Sequence, residues 1–160
     1  MVRDVINTLE KEYGKISVTT GSNHMYCGMD LIFTDREVHI NMVEYLKDVI
    51  NEFGSETCAK KVSLPAALHL FNVDPNQLAL DDEKSIIFHK MVAKLLFVSK
   101  HSRPNIQVAI AFLTTRVTKP DVDDWEKLVR LLCYLNSTID LKLKLSIQNF
   151  RAVKWWVDAS

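Results

Sequence analysis

The sequence predicts an α+β fold, with β structure near both ends and helices through the middle. Three observations lead there. Residues 2–13 and 42–53 space their apolar side chains at helical period, while residues 15–40 between them turn to β-forming runs. Residues 81–140 contain three helical stretches in succession, opened by Asp81-Asp82-Glu83, by Pro104 and by Pro120-Asp121. Leu141-Lys142-Leu143-Lys144-Leu145 then alternates strictly, and Val153 to Val157 reads as a further strand, so the chain closes on a pair able to form a hairpin.

Each element has its own warrant. In the first helix Val2, Val5, Ile6, Leu9 and Tyr13 share a face, and Gly14 stops it. Ile16 and Val18, then Met25 to Phe33, then Val38 to Ile40 form the β runs, with Thr34-Asp35-Arg36-Glu37 as a hairpin connection. The second helix spans Met42 to Phe53, with Val43, Leu46, Ile50 and Phe53 on one face. Residues 55–80 are irregular, carry Pro65 and Pro75, and offer Leu68, Leu70 and Phe71 as anchors. A connection that long usually packs over something or has a task. The third helix is expected from about Lys84 to Ser99 and the fourth from Pro104 to about Val117. The fourth is apolar nearly all round (Ile106, Val108, Ala109, Ile110, Phe112, Leu113), which predicts a central, buried helix. The fifth ends near Asn136 and presents Trp125, Leu128, Val129, Leu132 and Leu135 as its core stripe.

Composition excludes several classes. Of 160 residues, 48% are hydrophobic and 25% charged, values of a globular chain and not of a disordered or collagenous one. The longest apolar run, Val108 to Leu113, falls far short of the roughly 20 residues of a membrane span, and no signal-peptide stretch opens the chain. Cys27, Cys58 and Cys133 match neither a disulfide framework nor a zinc spacing, so the expectation is a reducing, intracellular setting, cytoplasm or nucleus, without a membrane partner. The histidines His24, His39, His69, His89 and His101 contain no metal-binding pair, and no phosphate loop, dinucleotide fingerprint or nucleophile elbow is present. Asp121, Asp123 and Asp124 lack the glycine and glutamate of a calcium loop; acids complementing a helix dipole explain them better. Charge is divided unevenly: residues 1–82 carry 7 Lys/Arg against 13 Asp/Glu, a net −6, and residues 83–160 carry 13 against 7, a net +6. That division points to an anionic partner for the second half, or to two halves that attract each other.

Two features stand out as candidate sites. Lys90 and Lys94 lie four apart on the third helix, with Lys100, His101 and Arg103 at its end; the alternatives are phosphate contact and a solvated basic face. Trp155-Trp156-Val157-Asp158 places an acid at the end of an apolar strand, as a ligand for something or as a simple turn residue.

A family resemblance gathers these pieces. Tyr26-Cys27-Gly28-Met29-Asp30-Leu31, Pro65-Ala66-Ala67-Leu68-His69-Leu70-Phe71 and the run from Phe88 to Phe97 come first. Arg103-Pro104-Asn105-Ile106, Ala111-Phe112-Leu113-Thr114, Trp125 to Leu135 and Trp155 to Ser160 follow. In this order, over nearly the whole chain, they resemble the polyprotein of copia-type LTR retrotransposons, from the end of the reverse transcriptase palm to the start of RNase H.

The resemblance implies residues 1–54 as the end of the palm with a primer-grip-like hairpin and 55–80 as a connecting loop. Residues 81–140 would be a three-helix thumb-like bundle, and 141–160 a C-terminal β-hairpin that begins an RNase H-like sheet. Tyr26, Cys27 and Gly28 would hold the primer end, Cys27 standing where a bulkier apolar residue is more usual. His89, Ala93 and Phe97 would form a thumb track along the minor groove, with Lys90, Lys94, Lys100 and Arg103 beside it for phosphates. Asp158 matches the first metal-binding, catalytic aspartate of RNase H, which works with Mg2+ in the full-length enzyme; no cofactor is expected for this chain. The polymerase aspartates would precede Met1, so neither polymerase nor nuclease activity is expected of the chain alone. Its partners would be an RNA–DNA or DNA–DNA primer–template and the remaining palm and RNase H segments. The rival readings are a stand-alone module binding nucleic acid or another partner, and a relic without function.

Overall fold

The computed structural model describes residues 2–54 and 61–146. Helix α1 (Val2–Tyr13) precedes three strands, β1 (Asn23–Tyr26), β2 (Met29–Phe33) and β3 (Glu37–Asn41), and helix α2 (Val43–Phe53). Helices α3 (Asp82–His101), α4 (Gln107–Arg116) and α5 (Val122–Ser137) follow, a 3₁₀ turn at Pro104–Ile106 leading into α4, and β4 (Leu143–Ser146) comes last.

The strands form one antiparallel sheet in the order β1-β2-β3-β4. Paired residues share a face, so His24, Leu31, Ile40 and Leu143 line up across the sheet, as do Phe33, Val38 and Leu145. Met29, Leu31 and Ile40 on that face pack against the helical core, which α2, α3, α4 and α5 build from Leu46, Ile50, Phe88, Leu95, Ile110, Leu128 and Leu132. Helix α1 buries none of its residues; Val2, Val5, Leu9 and Tyr13 stay exposed.

Helix starts follow the acids that signalled them. Asp81 caps α3, its side chain accepting from the Lys84 amide at 2.7 Å. Asp121 and Asp124 form a reciprocal capping box on α5. Those acids are structural, as the dipole argument for Asp121, Asp123 and Asp124 anticipates.

Four expectations change. Ile16 and Val18 lie outside the strands, since the sheet begins only at Asn23. The run Met25 to Phe33 is two strands, because Cys27 and Gly28 turn the chain between them. Helix α4 is not buried all round: Val108 remains 65% exposed while Ile106, Ala109, Ile110 and Leu113 face inward. Helices α3 and α5 bury more residues than α4, among them Phe88, Val92 and Leu95 on α3 and Leu128, Leu131 and Leu132 on α5. Finally, the alternating strand at Leu143 pairs along one edge with β3, a pairing not expected from the sequence, with Ile40 opposite Leu143 and Val38 opposite Leu145, so it adds to the N-terminal sheet. The expected strand Val153 to Val157 lies outside the described residues.

The long connection has a clear course. Leu70 is buried, Phe71 meets Phe112 edge-on at 5.7 Å, and Lys127 donates to the Asn72 carbonyl at 2.7 Å. Leu80 and Val122 then exchange backbone bonds with Pro120 and Leu78, pinning the segment to the α4–α5 connection. Among the described residues no helix is long and apolar enough to cross a membrane.

Candidate nucleic-acid interface

The tip of the β1–β2 hairpin is a two-residue turn with both residues at positive φ, +49° at Cys27 and +75° at Gly28. This is the backbone that matches the right-handed twist of a tight hairpin, and usually recruits Asn or Gly. Gly28 adopts it freely, whereas Cys27 holds a left-handed conformation that a side chain disfavours. Met25, Tyr26 and Cys27 are exposed there. A Cβ placed on Gly28 would lie 3.7 Å from the Tyr45 ring and 3.9 Å from the Met42 methyl, so the tip leans on the start of α2.

Tyr45 carries that contact onward. Its ring lies 5.8 Å from Phe97 of α3, and Phe97 lies 4.2 Å from His101, whose Nδ1 donates to the Phe97 carbonyl at 2.7 Å. The hairpin tip and the α3 track therefore meet through one aromatic side chain. His89 and Ala93 are exposed and Phe97 is half-buried. The track spans about 12 Å at the helical rise. Lys100, exposed and three turns beyond His89, extends it. Ile86, one turn before His89 and 70% exposed, also falls on this face.

Sequence reading missed Tyr45 and Ile86. Only the helical spacing of Ile86 from His89 could have signalled either of them.

The two lysines beside the track are already engaged. Glu52, on α2, pairs with Lys90 through Oε1 and with Lys94 through Oε2. Since Tyr45 meets Phe97 while Glu52 meets Lys90 and Lys94, α2 and α3 run in opposite senses across this contact. The Glu52 carboxyl is held below its ordinary range, first by the hydrogen bond from Lys90 and then by that from Lys94. The cluster keeps a net charge of +1.

Arg103 requires a correction. Only 1% exposed, it donates from Nη1 to the Thr138 carbonyl at 2.9 Å, from Nη2 to Thr138 Oγ1 at 2.6 Å and from Nε to Asn105 Oδ1 at 3.2 Å. Its guanidinium also lies 5.7 Å from the centre of the Tyr134 ring. Burial pushes it below its ordinary range. The side chain ties the end of α3 to the end of α5 and is not available to a phosphate. Asp158 lies outside the described residues, and among those described no three His, Cys, Asp or Glu side chains gather to hold a metal.

Comparison with known proteins finds a distant relative. The chain is 26% identical over 141 residues to the uncharacterized mitochondrial protein AtMg00810 of Arabidopsis thaliana, covering 84% of this chain and 57% of that protein. The chain thus spans little more than half the length of that relative. No protein-family model and no solved structure matches.

Proposed function

We propose that this chain is the duplex-gripping part of a retrotransposon reverse transcriptase, comprising the end of the palm and the thumb. The contact of the hairpin tip with the α3 track through Tyr45 and Phe97 carries this reading. A primer–template laid on that surface would meet Tyr26, Cys27 and Gly28 at one end. It would meet His89, Ala93, Phe97 and Lys100 along the helix, with Lys90 and Lys94 at the border. The small side chain of Ala93 permits close approach of a groove, and contacts of this kind read backbone and shape, not sequence. The polymerase and RNase H chemistry, with its Mg2+, belongs on this reading to the full-length enzyme.

The test is binding of a fluorescent RNA–DNA hybrid across a salt series. The wild-type chain is expected to bind at low salt with an affinity that falls steeply as salt rises. The double substitution Lys90→Ala and Lys94→Ala is expected to weaken binding and flatten the log–log salt slope by up to about two. Absence of binding at low salt would favour a relic whose opposed charges serve only to hold its halves together.

A further inference from the structure

We infer that Glu52 is an internal competitor for nucleic-acid phosphate, so that the basic edge of the interface is held partly closed when no duplex is bound. The inference rests on the reading proposed above and concerns its regulation.

A phosphate diester and a carboxylate offer a lysine the same thing, two anionic oxygens within hydrogen-bond reach. Glu52 offers one oxygen to Lys90 and the other to Lys94, so a single carboxylate occupies both ammonium groups across the α2–α3 contact. The three side chains remain partly open to solvent, 34% for Glu52, 57% for Lys90 and 29% for Lys94, so a strand of phosphates can reach them. For either lysine to contact a phosphate at full strength, its pair with Glu52 must loosen. The exchange replaces one anion by another and costs affinity, because the displaced carboxylate stays beside the incoming phosphate. In return it keeps the lysines extended at the edge of the track, and it discriminates against weak anionic ligands that contact only one lysine. Among the described residues Glu52 is the acid paired with both lysines, while Lys47 of α2 pairs with Glu44 instead.

Glu52→Gln tests this, because it retains shape and removes the charge. The variant is expected to bind the RNA–DNA hybrid about three- to fivefold more tightly than wild type near 100 mM salt, the range of an exposed ion pair. Its log–log salt slope is expected to be steeper by about one. Melting temperature, read in parallel, should move by no more than a few degrees, which separates a change at the surface from a loss of fold. Equal or weaker binding by Glu52→Gln, with wild-type binding still lowered by Lys90→Ala and Lys94→Ala, overturns the competitor role and leaves the interface standing. Failure of the wild type, Glu52→Gln and the lysine variant alike to bind the hybrid at low salt overturns the interface itself.

Discussion

Replacing Arg103 with alanine is expected to lower folding stability by about 3 kcal/mol or more, the largest loss of any single polar substitution proposed for this chain. Three terms add. The guanidinium is 1% exposed, so truncation leaves a cavity the size of a long side chain. The Asn105 side-chain oxygen loses the donor from Arg103, and the Thr138 carbonyl loses one of its donors while keeping the Leu141 amide at 3.0 Å. The layer over Tyr134 is lost as well, and with it the brace on Asn105, which itself donates to the Tyr134 hydroxyl at 2.6 Å. Arg103→Met separates these terms: it refills the stem volume and restores none of the hydrogen bonds, so it should recover roughly half the loss. Urea denaturation of the three proteins measures both differences. A loss below about 1 kcal/mol for the alanine variant would mean that the ends of α3 and α5 are joined by something other than this residue.

Arg116→Met should cost about 2–3 kcal/mol, for an electrostatic reason. Arg116 Nε donates to both oxygens of Asp124, at 2.9 and 3.2 Å, and Nη2 donates to Asp121 at 3.0 Å. The two carboxylates are nearly covered, with side-chain exposures of 2% for Asp124 and 10% for Asp121, and they share this one guanidinium. Burial already pushes the Asp124 carboxyl above its ordinary range, against the opposing pull of the Asp121 amide and Arg116. Without the guanidinium its protonation would become easier still in the folded chain than in the unfolded one. Folding then takes up a proton, so the deficit of Arg116→Met should be full at neutral pH and shrink as pH falls through the raised folded value. Thermal melts of wild type and variant across that range measure it. A deficit that is flat with pH would show that lost packing, and not the unpaired carboxylates, is the cause.

These two clusters show which part of the fold was legible in the sequence. Helix positions were, because their signals are local: Asp81 and Asp121 sit at the caps they announce, and the spacing of Leu128, Leu132 and Leu135 names the inward face of α5. Contacts between distant residues were not. Arg103 reads as one more cation at a helix end until Thr138, 35 residues away, accepts its hydrogen bonds. Lys90 and Lys94 read as a free basic face until Glu52, 42 residues before Lys94, pairs with both. The partner of β4 was hidden for the same reason, since strict alternation fixes which face of a strand turns inward and says nothing of the neighbouring strand. The hairpin turn was half-visible: Gly28 marks it, but Cys27 lacks the usual turn chemistry and conceals it within an apolar run.

The candidate interface stands on the same footing. The periodicity of His89, Ala93 and Phe97 was readable along one helix, whereas Tyr45, which brings the hairpin tip to that helix, is visible only in three dimensions. The central claim is that these two elements form one surface for a duplex. Amide chemical shifts of the labelled chain, followed by NMR while an RNA–DNA hybrid is added at low salt, test it most directly. The account predicts shifts that saturate together at Tyr26, Cys27, Gly28, Tyr45, Ala93, Phe97 and Lys100, with Arg103 and Thr138 unmoved. Shifts confined to the 65–72 segment and α5, or none at any concentration of hybrid, would contradict it.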